Sequence, residues 1–419
     1  MPRILILAGE ASGDLHGAKL AAALKSLSPD VELLGLGGDR MRAAGVELLE
    51  GIDRLDIIGL PSWPQLRQAI RTFRALSRRL QELELDAVVL IDNPGLNLRL
   101  ARVAKQAGHR VIYYIAPQIW AWNQGRIKLI QRRVDRVLVI LPFEEKFYRD
   151  AHVPCQFVGH PLLDEMPESF DRASLRAKLG LEPTARVIGL LPGSREREIR
   201  SLLPTMLDAA RLIAIDHTRV FPSEVGTGSR EENATRQEPR ALSRSARSGQ
   251  RSSGPAPVPV RVLLAQAQSL PSALIAEVLA GYPVPVQVVR DAPYDVMAAS
   301  DMLFVASGTA TLQSALTGTP MAIVYRASFL TSAFARAVVK TRWLGLANIV
   351  AGRQIAPEFL QSDFTPENLA AEARRVLSDP AIAEASAAAA RDLRQSLGSP
   401  GASYRAAHAI LAECGALPP

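Results

Sequence analysis

The chain has 419 residues, 48% of them apolar, which is enough for two full α/β domains and an extra segment. Its formal charge of +7 and pI near 9.6 favour anionic partners such as nucleotides, phosphorylated substrates or acidic membrane surfaces. Cys155 and Cys414 are the only cysteines, which excludes a disulfide framework and points to a reducing compartment. The N-terminus lacks the long apolar core and cleavage pattern of a signal peptide, and no apolar run approaches the ~18 residues of a membrane span. A cytoplasmic protein is expected, one that could still lie against a membrane.

In chain order, Ile4–Ala8 reads as a first strand, Gly9–Asp14 as a tight loop and Leu15–Leu27 as a helix. Strand, glycine loop and helix N-terminus make a natural anion or sugar site, against the simpler reading of a plain βα turn. The dinucleotide fingerprint G-x-G-x-x-G is absent there, and the glycines at Gly35, Gly37 and Gly38 follow the second strand, the wrong place for it. Ile57–Pro64 is an apolar loop containing Trp63, and Gln65–Leu83 reads as a helix. On that helix Arg67, Arg71, Arg74 and Arg78 form a stripe beside an apolar face. The pair suits an anionic interface or a phosphorylated lipid, or else an ordinary solvated surface helix.

Ala87–Ile91 is an uninterrupted apolar run, as in a strand buried on both faces of a parallel sheet. It stops at Asp92, and Pro94-Gly95 cannot continue the ladder. Asp92 therefore stands at a strand's carboxyl end, where open α/β sheets bind ligands, unless it only caps a helix starting near Asn97 or Leu98. Val111–Ile115 is another strand. Trp120 and Trp122 follow it, and could wall a pocket or fill core. Arg126, Lys128, Arg132 and Arg133 then lie on a helix, Val134–Leu141 is a strand, and Cys155–Val158 closes the first domain, with a linker over Asp164–Asp171.

The second half repeats the rhythm. Val187–Leu191 is a strand, Pro192–Arg195 a loop, and Glu196–Ile215 a helix that Pro204 could kink. Pro192–Arg195 is not a P-loop, but a glycine loop ending in Ser194-Arg195 is well made for a diphosphate. Residues 217–257, rich in Ser, Gly, Pro and Arg, read as a disordered basic insertion. Val260–Ala265, Val286–Val289, Met302–Val305 and Pro320–Tyr325 are strands. Ala306–Gln313 is a small-residue loop opening a helix, Phe329–Val339 an apolar helix, and Pro366–Leu377 and Ile382–Leu397 are C-terminal helices. The expected units are 1–165, 166–345 and a helical segment 346–419, with two facing Rossmann-like domains and a cleft between them.

The loops Gly9–Gly13, Ile91–Asn97, Trp120–Trp122, Leu191–Arg195 and Ala306–Leu312, in this order and spacing, together resemble the lipid-A-disaccharide synthase family. The resemblance implies an α/β protein with the GT-B fold, working at the inner face of the cytoplasmic membrane. It implies an inverting transfer of 2,3-diacylglucosamine from UDP-2,3-diacylglucosamine to 2,3-diacylglucosamine 1-phosphate, with no cofactor and no metal. Asp92 matches the family's candidate base. Gly193, Ser194, Arg195, Ser307, Gly308, Thr309, Ala310, Gln313 and Asn348 would serve the donor. Glu10, Ser12, Gly13, Asp14, Trp120 and Trp122 would face the acceptor side. By the same analogy a homodimer through the C-terminal region is possible, and nucleic acid is not an expected partner. The chain departs from the pattern at Gln313, where Glu is usual, at Asn123, where a basic residue is common, and at Ala347, where Pro is usual. Two other readings stand beside this one. A UDP-sugar epimerase on the same fold would leave the Trp pair and apolar loop unexplained. A basic nucleic-acid-binding protein would explain the pI but not the strand-end loops.

Overall fold

The computed structural model describes residues 1–9, 11–49, 63–121, 124–219, 259–326 and 341–417. The first half runs β1 (Arg3–Ala8), α1 (Ala11–Leu27), β2 (Glu32–Leu36), α2 (Asp39–Ala43), β3 (Glu47–Leu48), α3 (Trp63–Glu82), β4 (Ala87–Ile91), α4 (Pro94–Gln106), β5 (Arg110–Tyr114), α5 (Ile127–Arg133), β6 (Arg136–Val139), α6 (Pro142–Asp150) and β7 (Cys155–Phe157). Its strands pair in parallel in the order β3-β2-β1-β4-β5-β6-β7. Parallel strands need crossovers, and helices supply them on both faces. That is why β1 and β4 are apolar at consecutive positions. Ile4, Ile6, Val89 and Ile91 pack with Leu20 and Leu24 of α1, while Leu5, Leu7, Val88 and Leu90 pack with Leu76 and Leu80 of α3 and Leu100 of α4. Each such fully buried side chain contributes about 1.5–3 kcal/mol.

The second half runs α7 (Arg172–Lys178), β8 (Arg186–Leu191), α8 (Glu196–Arg219), β9 (Val260–Gln266), α9 (Ser272–Leu279), β10 (Val286–Arg290), α10 (Pro293–Ala299), β11 (Met302–Ala306), α11 (Thr309–Leu316), β12 (Met321–Tyr325), α12 (Leu346–Ala351) and β13 (Glu358–Leu360). This sheet is also parallel, in the order β10-β9-β8-β11-β12-β13. The chain ends in α13 (Pro366–Ser378), α14 (Pro380–Ser396) and α15 (Ala402–Glu413). Helix α13 packs on α8 and α14 on α11, but α15 returns to the first sheet, where Ala406, Ala407, Ile410 and Leu411 share a core with α1 and β4. Helix α15 is not among the expected helices, because Gly398–Gly401 interrupts the helical pattern after Leu397.

In each sheet the strand order reverses once, between β1 and β4 and between β8 and β11. Loops leaving such neighbours turn to opposite faces and open a crevice at the carboxyl ends of the strands. The two crevices hold four of the five loops that carry the family resemblance.

Several expected boundaries move, three of them in ways that bear on the site. Helix α1 begins at Ala11 rather than Leu15, so Ser12, Gly13 and Asp14 lie in its first turn. Gly13 eases the packing of this turn on β1, since a Cβ there would sit 3.2 Å from Ala8 Cβ, a tight contact that the strand would have to relieve. Helix α4 begins at Pro94, whose fixed φ suits a first helical position. Helix α8 carries Pro204 inside it and continues through residues 217–219, the start of the expected insertion. Residues 220–258, the apolar loop 57–62 and the expected helix over 329–339 lie outside the described residues.

Candidate active site

At the first crevice two loops come into contact. A Cβ on Gly9 would lie 2.7 Å from Asn93 Nδ2, so the β1 loop meets the Asn93 side chain of the β4 loop closely, and a larger residue at Gly9 would push that amide aside. Asp92 has φ +48° and Asn93 φ +41°. Left-handed backbone at a non-glycine residue costs roughly 1–2 kcal/mol and persists only where the surroundings hold it. Here two side chains hold it. Asn97 Nδ2 and Tyr113 Oη each donate to the Asp92 carbonyl at 2.7 Å, and Asn97 Nδ2 also reaches the Ile91 carbonyl at 3.0 Å. The cap on α4 is Asn93, whose Oδ1 accepts the Leu96 N–H at 3.4 Å. Helix capping therefore does not account for Asp92. Burial raises the Asp92 pKa above its ordinary value, with the Asn93 N–H opposing the shift. A partly desolvated carboxylate is a stronger base once ionised.

The other residues expected on the acceptor side divide. Glu10 and Trp122 lie outside the described residues, as does Asn123. Ser12 is exposed on the first turn of α1, and Gly13 is buried beneath it. Asp14 does not face the crevice as expected. Its buried Oδ1 accepts the N–H groups of Gly38 at 2.6 Å and Met41 at 3.2 Å, and Oδ2 that of Arg40 at 3.4 Å. It thus satisfies the open N-terminus of α2, where Gly38 supplies no side-chain cap. Trp120 is also a correction. It is buried among Leu141, Leu162 and Met166, stacks edge-on against Phe143 at 4.8 Å, and donates Nε1–H to Glu144 Oε1 at 2.9 Å. An indole this enclosed, with its one donor satisfied, is core rather than pocket wall.

The second crevice contains a cavity of about 630 Å³, within the range of small-ligand sites. Gly193, Ser194, Arg195, Ser307, Gly308, Thr309, Ala310 and Gln313 all line it, so the residues expected to serve a donor come together there, apart from Asn348. Gly193 has φ +111°, which turns the loop so that the N–H groups after it converge. Gln313 Nε2 donates to Tyr294 Oη at 3.1 Å, and burial pushes that phenol up to about 12. Ser307 Oγ donates to the Leu344 carbonyl at 3.0 Å, tying the β11 loop to the segment before α12. Asn348 is the correction here. It is fully buried, its Oδ1 accepts the Ile355 and Ala356 N–H groups at 2.8 and 3.0 Å, and its Nδ2 donates to the Ala356 carbonyl and Glu358 Oε1 at 2.8 and 2.9 Å. With its amide spent on the chain that follows α12, it braces the site from behind.

Sequence reasoning missed Glu198, Ala265, Gln266, Gln268, Asp291 and Pro293, which line the same cavity. They lie in the first turn of α8 and at the ends of β9 and β10. The strand-end rule that singled out Asp92 would have found most of them.

Helix α3 presents Arg67, Arg71, Arg74 and Arg78 at its exposed surface beside Ile70, itself 42% exposed. Among the described residues no helix is long and apolar enough to cross a membrane.

Against this geometry stand the relatives. The family model for lipid-A-disaccharide synthetase matches residues 4–226 and 225–412. Lipid-A-disaccharide synthases of Geobacter metallireducens and Myxococcus xanthus are 39% identical over 410 residues and 37% identical over 413. Each match covers 98% of this chain, and 96% and 97% of those proteins. Among solved structures, Staphylococcus aureus MnaA with UDP has a TM-score of 0.61 at 11% identity, covering 100% of this chain and 98% of that one. Acinetobacter baumannii MurG has 0.53 at 15%, covering 98% and 99%, and the calicheamicin glycosyltransferase CalG4 has 0.53 at 15%, covering 100% of both. At such identities the structural likeness speaks for the fold alone, the two-sheet GT-B architecture.

Proposed function

The chain belongs to the lipid-A-disaccharide synthetase family, and from that premise we propose that its two crevices divide one reaction between them. The reaction itself is that of the family. The protein is an inverting glycosyltransferase of lipid A biosynthesis, moving 2,3-diacylglucosamine from its UDP-linked form to 2,3-diacylglucosamine 1-phosphate, with the disaccharide 1-phosphate and UDP as products. The epimerase and nucleic-acid readings are not favoured.

In the proposed division, Asp92 takes the proton of the acceptor's 6-hydroxyl as that oxygen attacks the sugar carbon bearing UDP. The leaving diphosphate gathers negative charge. The loop at Gly193–Arg195 and the start of α11 at Thr309 offer N–H groups and a guanidinium to it. Gln313 lines the same cavity, where an amide supplies one acceptor to a ribose hydroxyl but no charge. The observation that carries the reading is Asp92: a desolvated carboxylate in strained backbone at a topological switch point, with the helix cap assigned to its neighbour.

The test supplies both acylated glucosamine substrates to the full chain and follows UDP and disaccharide together. Acceptor-dependent release of both in equal amounts is expected. Folded protein that releases neither would end the assignment.

The same proposal puts the enzyme on the inner face of the cytoplasmic membrane, with Arg71, Arg74, Arg78 and Ile70 of α3 toward anionic lipid. Co-flotation with vesicles rich in phosphatidylglycerol, lost on changing these arginines to glutamine, is the expected result; unchanged flotation would remove α3 from the contact. Pairing of two copies through the C-terminal region belongs to this reading as well, and a single monomer species in sedimentation would remove it.

A further inference from the structure

Three hydrogen bonds end on one carboxylate at the diphosphate loop. Glu198 Oε2 accepts the N–H of Ser194 at 3.0 Å and that of Arg195 at 3.3 Å, and its Oε1 accepts from Arg195 Nη1 at 3.4 Å. Gly193 lies so close that a Cβ there would be 2.1 Å from Glu198 Oε2. Two convergent N–H groups with a guanidinium are the donor set that a phosphate oxygen takes at a helix start. Glu198 also lines the cavity into which Ser307 and Thr309 face. Resting on the donor-site reading above, we propose that Glu198 is an internal stand-in for the donor's diphosphate. It fills the nest while the nest is empty, is displaced when the UDP-sugar arrives, and returns as UDP leaves.

The physical case is one of exclusion. A carboxylate oxygen and a phosphate oxygen cannot both sit on the same two N–H groups, and like charges at that range repel. The Glu198 side chain is 32% exposed and stands in the first turn of α8, so a change of rotamer carries its carboxylate toward solvent. A glutamate that reaches back to the N–H at its own helix start is also half of a capping box. Capping alone has a different consequence, because a cap that stays in place would leave UDP affinity no better when removed.

The experiment titrates UDP into the full chain by calorimetry for the wild type, Glu198→Gln, Glu198→Ala and Arg195→Ala, with melting curves for each. Glutamine keeps the size and one acceptor but removes the charge. The expected result is UDP binding about tenfold tighter in Glu198→Gln and tighter in Glu198→Ala, and weaker in Arg195→Ala. Two folded Glu198 variants that bind UDP no tighter than the wild type, with Arg195→Ala still weakened, would overturn the stand-in while leaving the donor site intact. Unchanged affinity in Arg195→Ala would sink the donor-site reading itself, and this inference with it. If the alanine variant does not fold, the glutamine variant decides alone.

Discussion

The two switch points sit at equivalent places in similar sheets, yet they are built by opposite means. At the first, a side chain is held in place. Asp92 keeps unfavourable backbone angles because Asn97 and Tyr113 grip its carbonyl, and burial raises its pKa. At the second, side chains are mostly cleared away. Gly193, Gly308 and Ala310 bring backbone close to the cavity, and Glu198 covers the N–H groups that follow Gly193. Chemistry by proton transfer needs one group fixed within hydrogen-bond reach, whereas anion binding needs many N–H groups and room. Strain thus marks the proposed acceptor side, and glycine marks the donor side.

The sharpest way to break this contrast is Asp92→Asn. Amide for carboxylate keeps shape and removes basicity, so disaccharide formation should fall by about 10²–10⁴, the range of a general base, while UDP affinity stays unchanged. The wild-type rate should rise with pH along an acid limb lying above the ordinary carboxylate value, since burial raises this pKa and the base must be ionised. A variant with full activity would remove Asp92 from the chemistry.

Arg195→Ala should act on the other side only. Losing a charge-assisted hydrogen bond of about 1.5–3 kcal/mol corresponds to a weakening of donor binding on the order of tenfold to a hundredfold. The acid limb set by Asp92 should not move. If both donor affinity and the acid limb shift, the two crevices are not as separate as proposed.

Tyr113→Phe probes how the strain is held. The hydroxyl is one of two donors on the Asp92 carbonyl, and its loss costs about 1 kcal/mol of that grip. A roughly fivefold lower rate with a displaced acid limb and unaltered donor affinity is expected. A rate that falls with no change in the pH profile would mean that Tyr113 supports only the fold.

What could be read in the sequence follows from the range of the interactions. Ile4–Ala8, Ala87–Ile91 and Met302–Val305 declare themselves because burial on both faces demands unbroken apolar runs. The loops behind them are legible by the same token. Asp14, Trp120 and Asn348 were misplaced because the groups that claim their polar atoms are not in the local pattern. They are the N–H of Gly38, the carboxylate of Glu144, and the chain from Ile355 to Glu358. A motif shows that a residue matters, and it does not show whether that residue meets ligand or holds the loop that does.

That distinction can be tested at Trp120, where no effect on catalysis is expected. Its partner Glu144 is buried and has its pKa raised from 4.5 to about 7, chiefly by desolvation, against the hydrogen bonds from Trp120 and the Leu141 backbone. Below pH 4.5 the carboxyl is protonated folded or unfolded and contributes nothing to the pH dependence. Between 4.5 and about 7 the unfolded chain releases a proton that the folded chain keeps, so stability falls as pH rises. Above about 7 the penalty is complete, on the order of 3 kcal/mol. Glu144→Gln removes the titration and should flatten the melting temperature between pH 4.5 and 7, gaining most over the wild type above pH 7. If Trp120 is core, acceptor KM stays the same in this variant. A changed acceptor KM with parallel melting profiles would return Trp120 to the acceptor side, where the sequence had put it.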